Sequence, residues 1–320
     1  MPEGPEVRKY ADALHSVLQG RRIVSLEART REAKKWLQQN ERLIVGRRVL
    51  RVVSHGKHLI GYIHGGFYFH SHLMMWGRWQ TFGTSSPKKK SASRKHLPDY
   101  TSRDEILPVE KDRRERARIV VKDGAAILFS APIFNVGKGN PYERIENLGT
   151  LGPDVLPYKG NFNSREFRRR LLLPEYRDVT IGAALLNQSI VAGLGNYLRA
   201  EVLFQCRMNP WKRVRELEKV ELNCLGRTAP ELSLRSYTAS ATAPDADRAR
   251  MISDPSLVYQ PGREYGTRHM VYRRTNLPCL RCRETIRQLR QPTYTSGEEG
   301  QEERTRIMYF CPGCQKVDEQ

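Results

Sequence analysis

Apolar residues recur at Val7, Ala11, Leu14 and Leu18, a spacing of three to four that predicts a helix over the first twenty positions, stopped by Gly20. From about 22 to 82 the rhythm shortens and predicts β-type stretches, among them 48–53, 59–64 and 67–70. Residues 84–118 are strongly charged, open on Lys88-Lys89-Lys90, and read as a loop or disordered insertion. Two short apolar runs, 118–121 and 126–130, suit a closing hairpin. The stretch 133–151, with Gly137, Gly139, Pro141 and Gly149, reads as a hinge. Helical spacing returns at 164–172, 181–192, 196–205 and about 215–225. Residues 226–265, rich in Pro, Ala, Ser and charge, carry no clear period and are expected to be poorly ordered. No internal repeat is present. The chain divides into a β-rich front, a helical middle and a cysteine-rich tail.

Composition narrows the partner. Fifty-five Lys and Arg face 35 Asp and Glu in 320 residues, a net charge of +20. An excess of that size favours a polyanion, because each neutralised phosphate releases counterions. No basic amphipathic helix with a broad apolar face suggests a membrane surface, and no apolar run is long enough to span one. With no charged-then-apolar leader, the expectation is an intracellular chain, unprocessed except for loss of Met1 ahead of the small residue Pro2. Cytoplasm or nucleoid would be its place in a bacterium, the nucleus in a eukaryote. Six cysteines in such a chain are not expected to form a disulfide framework. Cys206 and Cys224 lie apart. The pairs Cys279/Cys282 and Cys311/Cys314 would set four thiolates around one structural Zn²⁺, with no coordination position left for chemistry. Arg304 and Arg306 lie between the pairs, where a rigid hairpin could press a guanidinium onto a phosphate.

Three motifs carry a family likeness: Met1-Pro2-Glu3-Gly4-Pro5-Glu6 at the start, Gly193-Leu194-Gly195-Asn196-Tyr197 in the middle, and Tyr309-Phe310-Cys311-Pro312-Gly313-Cys314-Gln315 at the end. In this order they resemble the formamidopyrimidine-DNA glycosylase/endonuclease VIII family. Gly4 and Gly152-Pro153-Asp154-Val155-Leu156 look more like the endonuclease VIII branch. The likeness runs from residue 1 to about 316, with insertions at roughly 84–118 and 285–303. It implies an α+β fold: an N-terminal β-sandwich flanked by helices (1–135), a hinge (136–151), a helical helix–two-turn–helix domain (152–265) and a zinc-bound β-hairpin (266–320), with DNA lying across a cleft.

The resemblance also implies roles. Pro2, freed of Met1, would offer a secondary amine to attack the sugar C1′ and form a Schiff base, with Glu3 protonating the opening sugar. Lys57 would contact phosphate and assist β-elimination, and Arg306 would grip phosphates and favour δ-elimination. A base rotated out of the duplex leaves a gap, which Met74, Met75 and Trp76 would fill. Gly193, Gly195 and Asn196 would meet a phosphate at a helix N-terminus. Thr150 stands where endonuclease VIII carries a DNA-binding arginine. The arginine linker of the other branch is replaced by Ser130-Ala131-Pro132-Ile133-Phe134, and Arg144 is the candidate substitute. The implied activity is a monomeric glycosylase and abasic-site (AP) lyase acting on double-stranded DNA, chiefly at oxidised pyrimidines. Alternatives are a member preferring oxidised purines, single strands or abasic sites, and a non-catalytic protein that binds damaged DNA.

Overall fold

The computed structural model describes residues 2–83, 112–259, 264–293 and 305–317, so the greater part of both expected insertions, and Arg304, lies outside the described residues. The chain forms two compact units, Met1–Thr150 with Pro157–Lys159, and Leu151–Leu156 with Gly160–Gln320. No described helix is long and apolar enough to cross a membrane.

In the first unit, helix α1 (Gly4–Leu18) starts at Glu3, where Glu3 and Glu6 form a reciprocal capping box and Pro5 sits in the first turn. Its stripe Val7, Ala11, Leu14 and Leu18 is buried as its spacing predicts. Gly20 ends it at φ +76, a conformation that glycine adopts without steric cost. Strand β1 (Ile23–Ala28) follows. Helix α2 (Arg31–Ile44) then interrupts the region expected to be β throughout. This corrects the sequence reading: α2 is mostly polar and buries only Ala33, Leu37 and Ile44, so its thin apolar stripe gives little periodic signal.

Strands β2 (Val49–His55), β3 (His58–Ile63), β4 (Phe67–His72), β5 (Arg78–Gly83), β6 (Glu115–Val121), β7 (Gly124–Phe129) and β8 (Ile133–Lys138) complete two antiparallel sheets. Their orders are β1-β6-β7-β5 and β2-β3-β4-β8. The inner faces of both share one core with α1 and α2, which makes a β-sandwich. The expected 118–121/126–130 hairpin is β6–β7. Strand β8, however, occupies the first part of the stretch expected to be a hinge. It pairs with β4 from Phe67↔Lys138 to His72↔Ile133, a register that tolerates Gly137 because the ring of Tyr68 covers it. A short helix, α3 (Pro141–Arg144), follows.

The second unit carries α4 (Ser164–Leu171), α5 (Ile181–Ala184), α6 (Asn196–Gln205), α7 (Lys219–Ala239), α8 (Asp245–Ser253), a hairpin of β9 (Arg287–Pro292) and β10 (Thr305–Phe310), and α9 (Pro312–Gln315). The expected helix 181–192 stops early because Asn187 and Gln188 side chains bond local backbone in place of the helix ladder. The segment expected to be poorly ordered is largely helical. In α7 the buried Leu222, Leu225, Ala229, Leu232 and Ser236 keep helical spacing through Pro230. Cys206 and Cys224, which lie apart in a chain not expected to form a disulfide framework, form a disulfide joining the end of α6 to α7. Their separation in sequence conceals that the two helices pack together.

The β2-β3-β4-β8 sheet has a second, polar face. Alternation places His58, His70 and His72 on it, with Asn135 from β8. His58 Nδ1 lies 2.9 Å from His70 Nε2, and Asn135 Nδ2 lies 3.3 Å from His70 Nδ1. His58 stacks on His70 at 5.2 Å and meets His72 edge-on at 4.8 Å. Burial, then the neighbouring histidines and Lys57, lowers His58 to about 2. Burial followed by His72 lowers His70 to about 3, and burial followed by Lys57 lowers His72 to about 4.

Two predictions follow from this packing. On the inner face, a Cβ at Gly61 would lie 2.0 Å from the Phe69 ring, which is wedged beside Trp79 and Phe134. Gly61→Ala should therefore cost about 1–3 kcal/mol in chemical denaturation, and a cost near zero would mean that the ring has room to move. On the outer face, the unfolded chain takes up protons on these histidines below pH 6.5 while the folded chain does not. The histidine contribution is thus complete above pH 6.5 and lost as pH falls toward about 4 for His72, about 3 for His70 and about 2 for His58, at up to about 1.4 kcal/mol per pH unit per histidine. Urea midpoints compared at pH 7.5, 6 and 5 read this directly; a flat profile would mean that the rings ionise within the fold.

Candidate active site and nucleic-acid interface

Chemistry in the first unit starts at the chain's N-terminal helix. Pro2 is half-buried immediately ahead of α1, and Glu3 is 2% exposed at its N-cap. The Glu6 carboxylate accepts from the Glu3 amide at 2.8 Å. Helix N-terminal amides favour negative charge, so this is a place where a buried carboxylate is tolerated.

Lys57 lies in the turn between β2 and β3, where Gly56 takes φ +55. The register His55↔His58 and His58↔His72 sets that turn at the same end of the sheet as the loop leaving β4. Met74, Met75 and Trp76 form that loop and are 43%, 51% and 79% exposed. Their side chains would read as core by type, yet they point into solvent. The loop is closed by Gly77 N–H donating to Leu73 O at 2.8 Å, and a Cβ at Gly77 would meet that same carbonyl at 2.4 Å. Met74 takes the left-handed φ of +50, and its amide donates to His72 Nδ1 at 3.2 Å. Also in this unit, His55 Nδ1 lies 3.0 Å from the Tyr142 hydroxyl. Thr150 is exposed, its hydroxyl donating to Asn147 O at 3.1 Å, and Arg144 is exposed at the end of α3.

In the second unit the 193–196 turn leads into α6. Gly193 takes φ +105, and Gln188 staples the turn, its Oε1 accepting from Gly193 N and its Nε2 donating to Leu194 O at 2.9 Å. The Asn196 amide is engaged at both ends: Nδ2 donates to Ile307 O at 2.9 Å, and Oδ1 accepts from Arg199 Nη2 at 2.9 Å. Arg199 is fully buried and also donates to Gly182 O and Gln291 Oε1. This network ties the start of α6 to β10 one residue past Arg306, which is itself exposed. Asn196 and Arg306 are thus brought to one place, with the Asn196 side chain spent on the join.

Further along α6, the buried Glu201 carboxylate accepts from the amides of Met270, Val271 and Tyr272 and from the Thr242 hydroxyl, all at 2.8–2.9 Å. That carboxylate holds the chain entering the cysteine module against α6. Within the module the four sulfurs of Cys279, Cys282, Cys311 and Cys314 lie within 4.8 Å of one another. Amides of Arg281 and Cys314 point at the Cys279 and Cys311 sulfurs at 3.4 and 3.5 Å, as thiolates on a metal require. The donor set fits one tetrahedral zinc.

Sequence reasoning missed the outer-face histidines, Gln188, Arg199 and Glu201. For His70 and His72 a signal existed, since two histidines two apart in a strand share a face. The other three stand out only once their partners, far away in the chain, are in place.

Comparison with known proteins matches this architecture. The model for the formamidopyrimidine-DNA glycosylase N-terminal domain matches residues 1–129, and the model for its H2TH domain matches 151–239. Endonuclease 8 of Salmonella heidelberg is 27% identical over 318 residues, covering 99% of this chain and 100% of its own length. Endonuclease 8 of Salmonella paratyphi A is 26% identical over the same span and coverage. Among solved structures, a complex of Lactococcus lactis Fpg with DNA containing N7-benzyl-Fapy-dG superposes with a TM-score of 0.66 at 22% identity, covering 99% of this chain and 100% of that one. A complex of the same protein with DNA containing an abasic site gives 0.65 at 22% identity, covering 98% and 100%. The solved structures share the fold; the two family models, both drawn from the same glycosylase, together span more than half of the sequence, and the chain belongs to the formamidopyrimidine-DNA glycosylase/endonuclease VIII family.

Proposed function

We propose that this chain is a bifunctional base-excision repair enzyme that releases oxidised bases, chiefly pyrimidines, from duplex DNA and then cuts the strand at the resulting abasic site. The observation that carries the reading is the Pro2–Glu3 pair: an imino acid one residue into the chain, followed by a carboxylate buried at a helix N-terminus. Loss of Met1 leaves Pro2 with a secondary amine. The amine forms a bond to the sugar C1′ as the C1′–base bond breaks, and the base leaves with a proton. Glu3 takes up the proton that the bonded amine sheds and passes it to O4′ as the sugar ring opens, producing a cationic imine without a separate dehydration. Loss of a C2′ proton then expels the 3′-phosphate, and loss of a C4′ proton expels the 5′-phosphate.

Lys57 and Arg306 hold the phosphates that leave. Met74, Met75 and Trp76 fill the gap left by the extruded nucleotide. Large apolar side chains held in water are costly unless a partner covers them, and an unstacked base step is such a partner. The 193–196 turn presents backbone amides to a phosphate at the start of α6. Zinc supplies no chemistry here. Bound by Cys279, Cys282, Cys311 and Cys314, it holds the hairpin that carries Arg306. The enzyme works as a monomer inside the cell, wherever the chromosome is.

Borohydride should trap a covalent complex with DNA through Pro2. Pro2→Gly should reduce trapping at least about 100-fold, and full trapping by a form with a blocked N-terminus would sink the reading. For the metal, one zinc per chain is expected by elemental analysis. Cys282→Ser, or removal by a strong chelator, should weaken duplex binding while leaving the first unit's unfolding transition in place. Unchanged binding after complete zinc loss would show that the hairpin stands without it.

A further inference from the structure

The wedge loop is held by a side chain whose role nothing above assigns. Met74 N–H donates to His72 Nδ1, so that nitrogen carries no proton and the ring is neutral with its hydrogen on Nε2. His72 does not stand alone. The Asn135 amide donates to His70 Nδ1, which places the His70 proton on Nε2 and aims it at His58 Nδ1. The His58 ring then packs edge-on against His72 at 4.8 Å. One run of rings and hydrogen bonds thus leads from β8, across β4 and β3, to the first residue of the loop.

An apolar filler would pack this face without the cost of burying imidazole nitrogens. What imidazole adds is an acceptor at the spot where the backbone turns left-handed at Met74. A left-handed non-glycine residue is held only when its surroundings over-determine it.

We propose that His72, backed by His58, His70 and Asn135, is a positioning residue for base extrusion: its Nδ1 fixes the Met74 amide and so sets the angle at which Met74, Met75 and Trp76 leave the sheet. The proposal rests on the wedge role given to that loop above. It separates two reactions of the same enzyme. Expelling a base from a duplex needs the wedge, whereas eliminating phosphate at a site that has already lost its base needs it far less.

The test compares His72→Phe, which keeps a ring, with His72→Asn, whose Oδ1 falls near the lost Nδ1. Substrates are a duplex with thymine glycol, the same lesion in a single strand, and a duplex with a preformed abasic site, all under single-turnover conditions. His72→Phe should slow base release from the duplex about tenfold, as expected for one lost hydrogen bond, and affect the other two substrates less than about threefold. Amide exchange at Met74 should quicken in His72→Phe, and His72→Asn should restore both exchange and duplex release. Equal losses on all three substrates, or no loss on any, would overturn the proposal. So would recovery of Met74 protection in His72→Asn without recovery of duplex release. If the wild-type chain releases no base at all, the glycosylase reading itself fails and takes this one with it. If instead it releases base but a combined Met74→Ala, Met75→Ala, Trp76→Ala variant shows no duplex-specific defect, the wedge role fails while the chemistry stands.

Discussion

The pairing of β3 with β4 is the constraint from which the first unit's site takes its shape. A strand has a period of two, so its register decides every side chain's face at once. Here Leu59↔Ser71, Gly61↔Phe69 and Ile63↔Phe67 face the core, while His58↔His72, Ile60↔His70 and Tyr62↔Tyr68 face away. A slip of one residue would drive Phe69 outward and bury histidine inside. Gly61 holds the register, since the Phe69 ring lies across the space that any larger residue would need. Because β3 begins right after Lys57 and β4 ends right before the Met74 loop, the same register puts a cation and an exposed apolar loop at one end of one sheet. Each placement follows from the pairing.

The second unit solves the opposite problem, positioning groups that lie far apart in sequence. Asn196, Arg199 and Gln291 join the start of α6 to the β9–β10 hairpin, and Glu201 anchors the chain leading into it. Burying a guanidinium and a carboxylate is expensive unless their hydrogen-bonding capacity is met. Much of it is met: Arg199 donates through Nη1 and Nη2 to two backbone carbonyls and two side-chain amides, and Glu201 accepts four bonds. Directional bonds of this kind specify one geometry where apolar packing would tolerate several. Such rigidity fixes the position of the hairpin that carries the exposed Arg306.

What could be read from the sequence follows from how local each signal is. Helix α1 has an amphipathic stripe and a glycine stop, and α6 follows a Gly-x-Gly turn and runs over the residues its pattern predicts, Asn196–Gln205. The four zinc-type cysteines are legible from two short spacings. Helix α2 is not, because three buried residues in fourteen leave the pattern to its charges. Strand β8 hides behind Gly137, which looks like a hinge until Tyr68 is seen covering it. Helix α7 hides behind Pro230, and the Cys206–Cys224 bond depends on two helices that only tertiary packing brings together. Pro2 and Glu3, the candidate nucleophile and its carboxylate, stand out only through the family likeness of three separate motifs. The two residues are adjacent in the chain, so no fold is needed to bring them together.

Burial first, and neighbouring charge second, keep the outer-face histidines neutral in a strongly basic chain. A net charge of +20 draws a polyanion from any direction, but it does not determine where the duplex bends or which base leaves the stack. That selectivity must come from shape held at short range. An ionised histidine beside Lys57 would add attraction for phosphate, yet a protonated His72 could not accept the Met74 amide, and the loop would lose its fixed exit from the sheet. Burial and the Lys57 charge both press His72 toward its neutral form. Lys57, second to burial in holding His72 neutral, thus lies at the same end of the sheet as the loop whose Met74 amide His72 accepts.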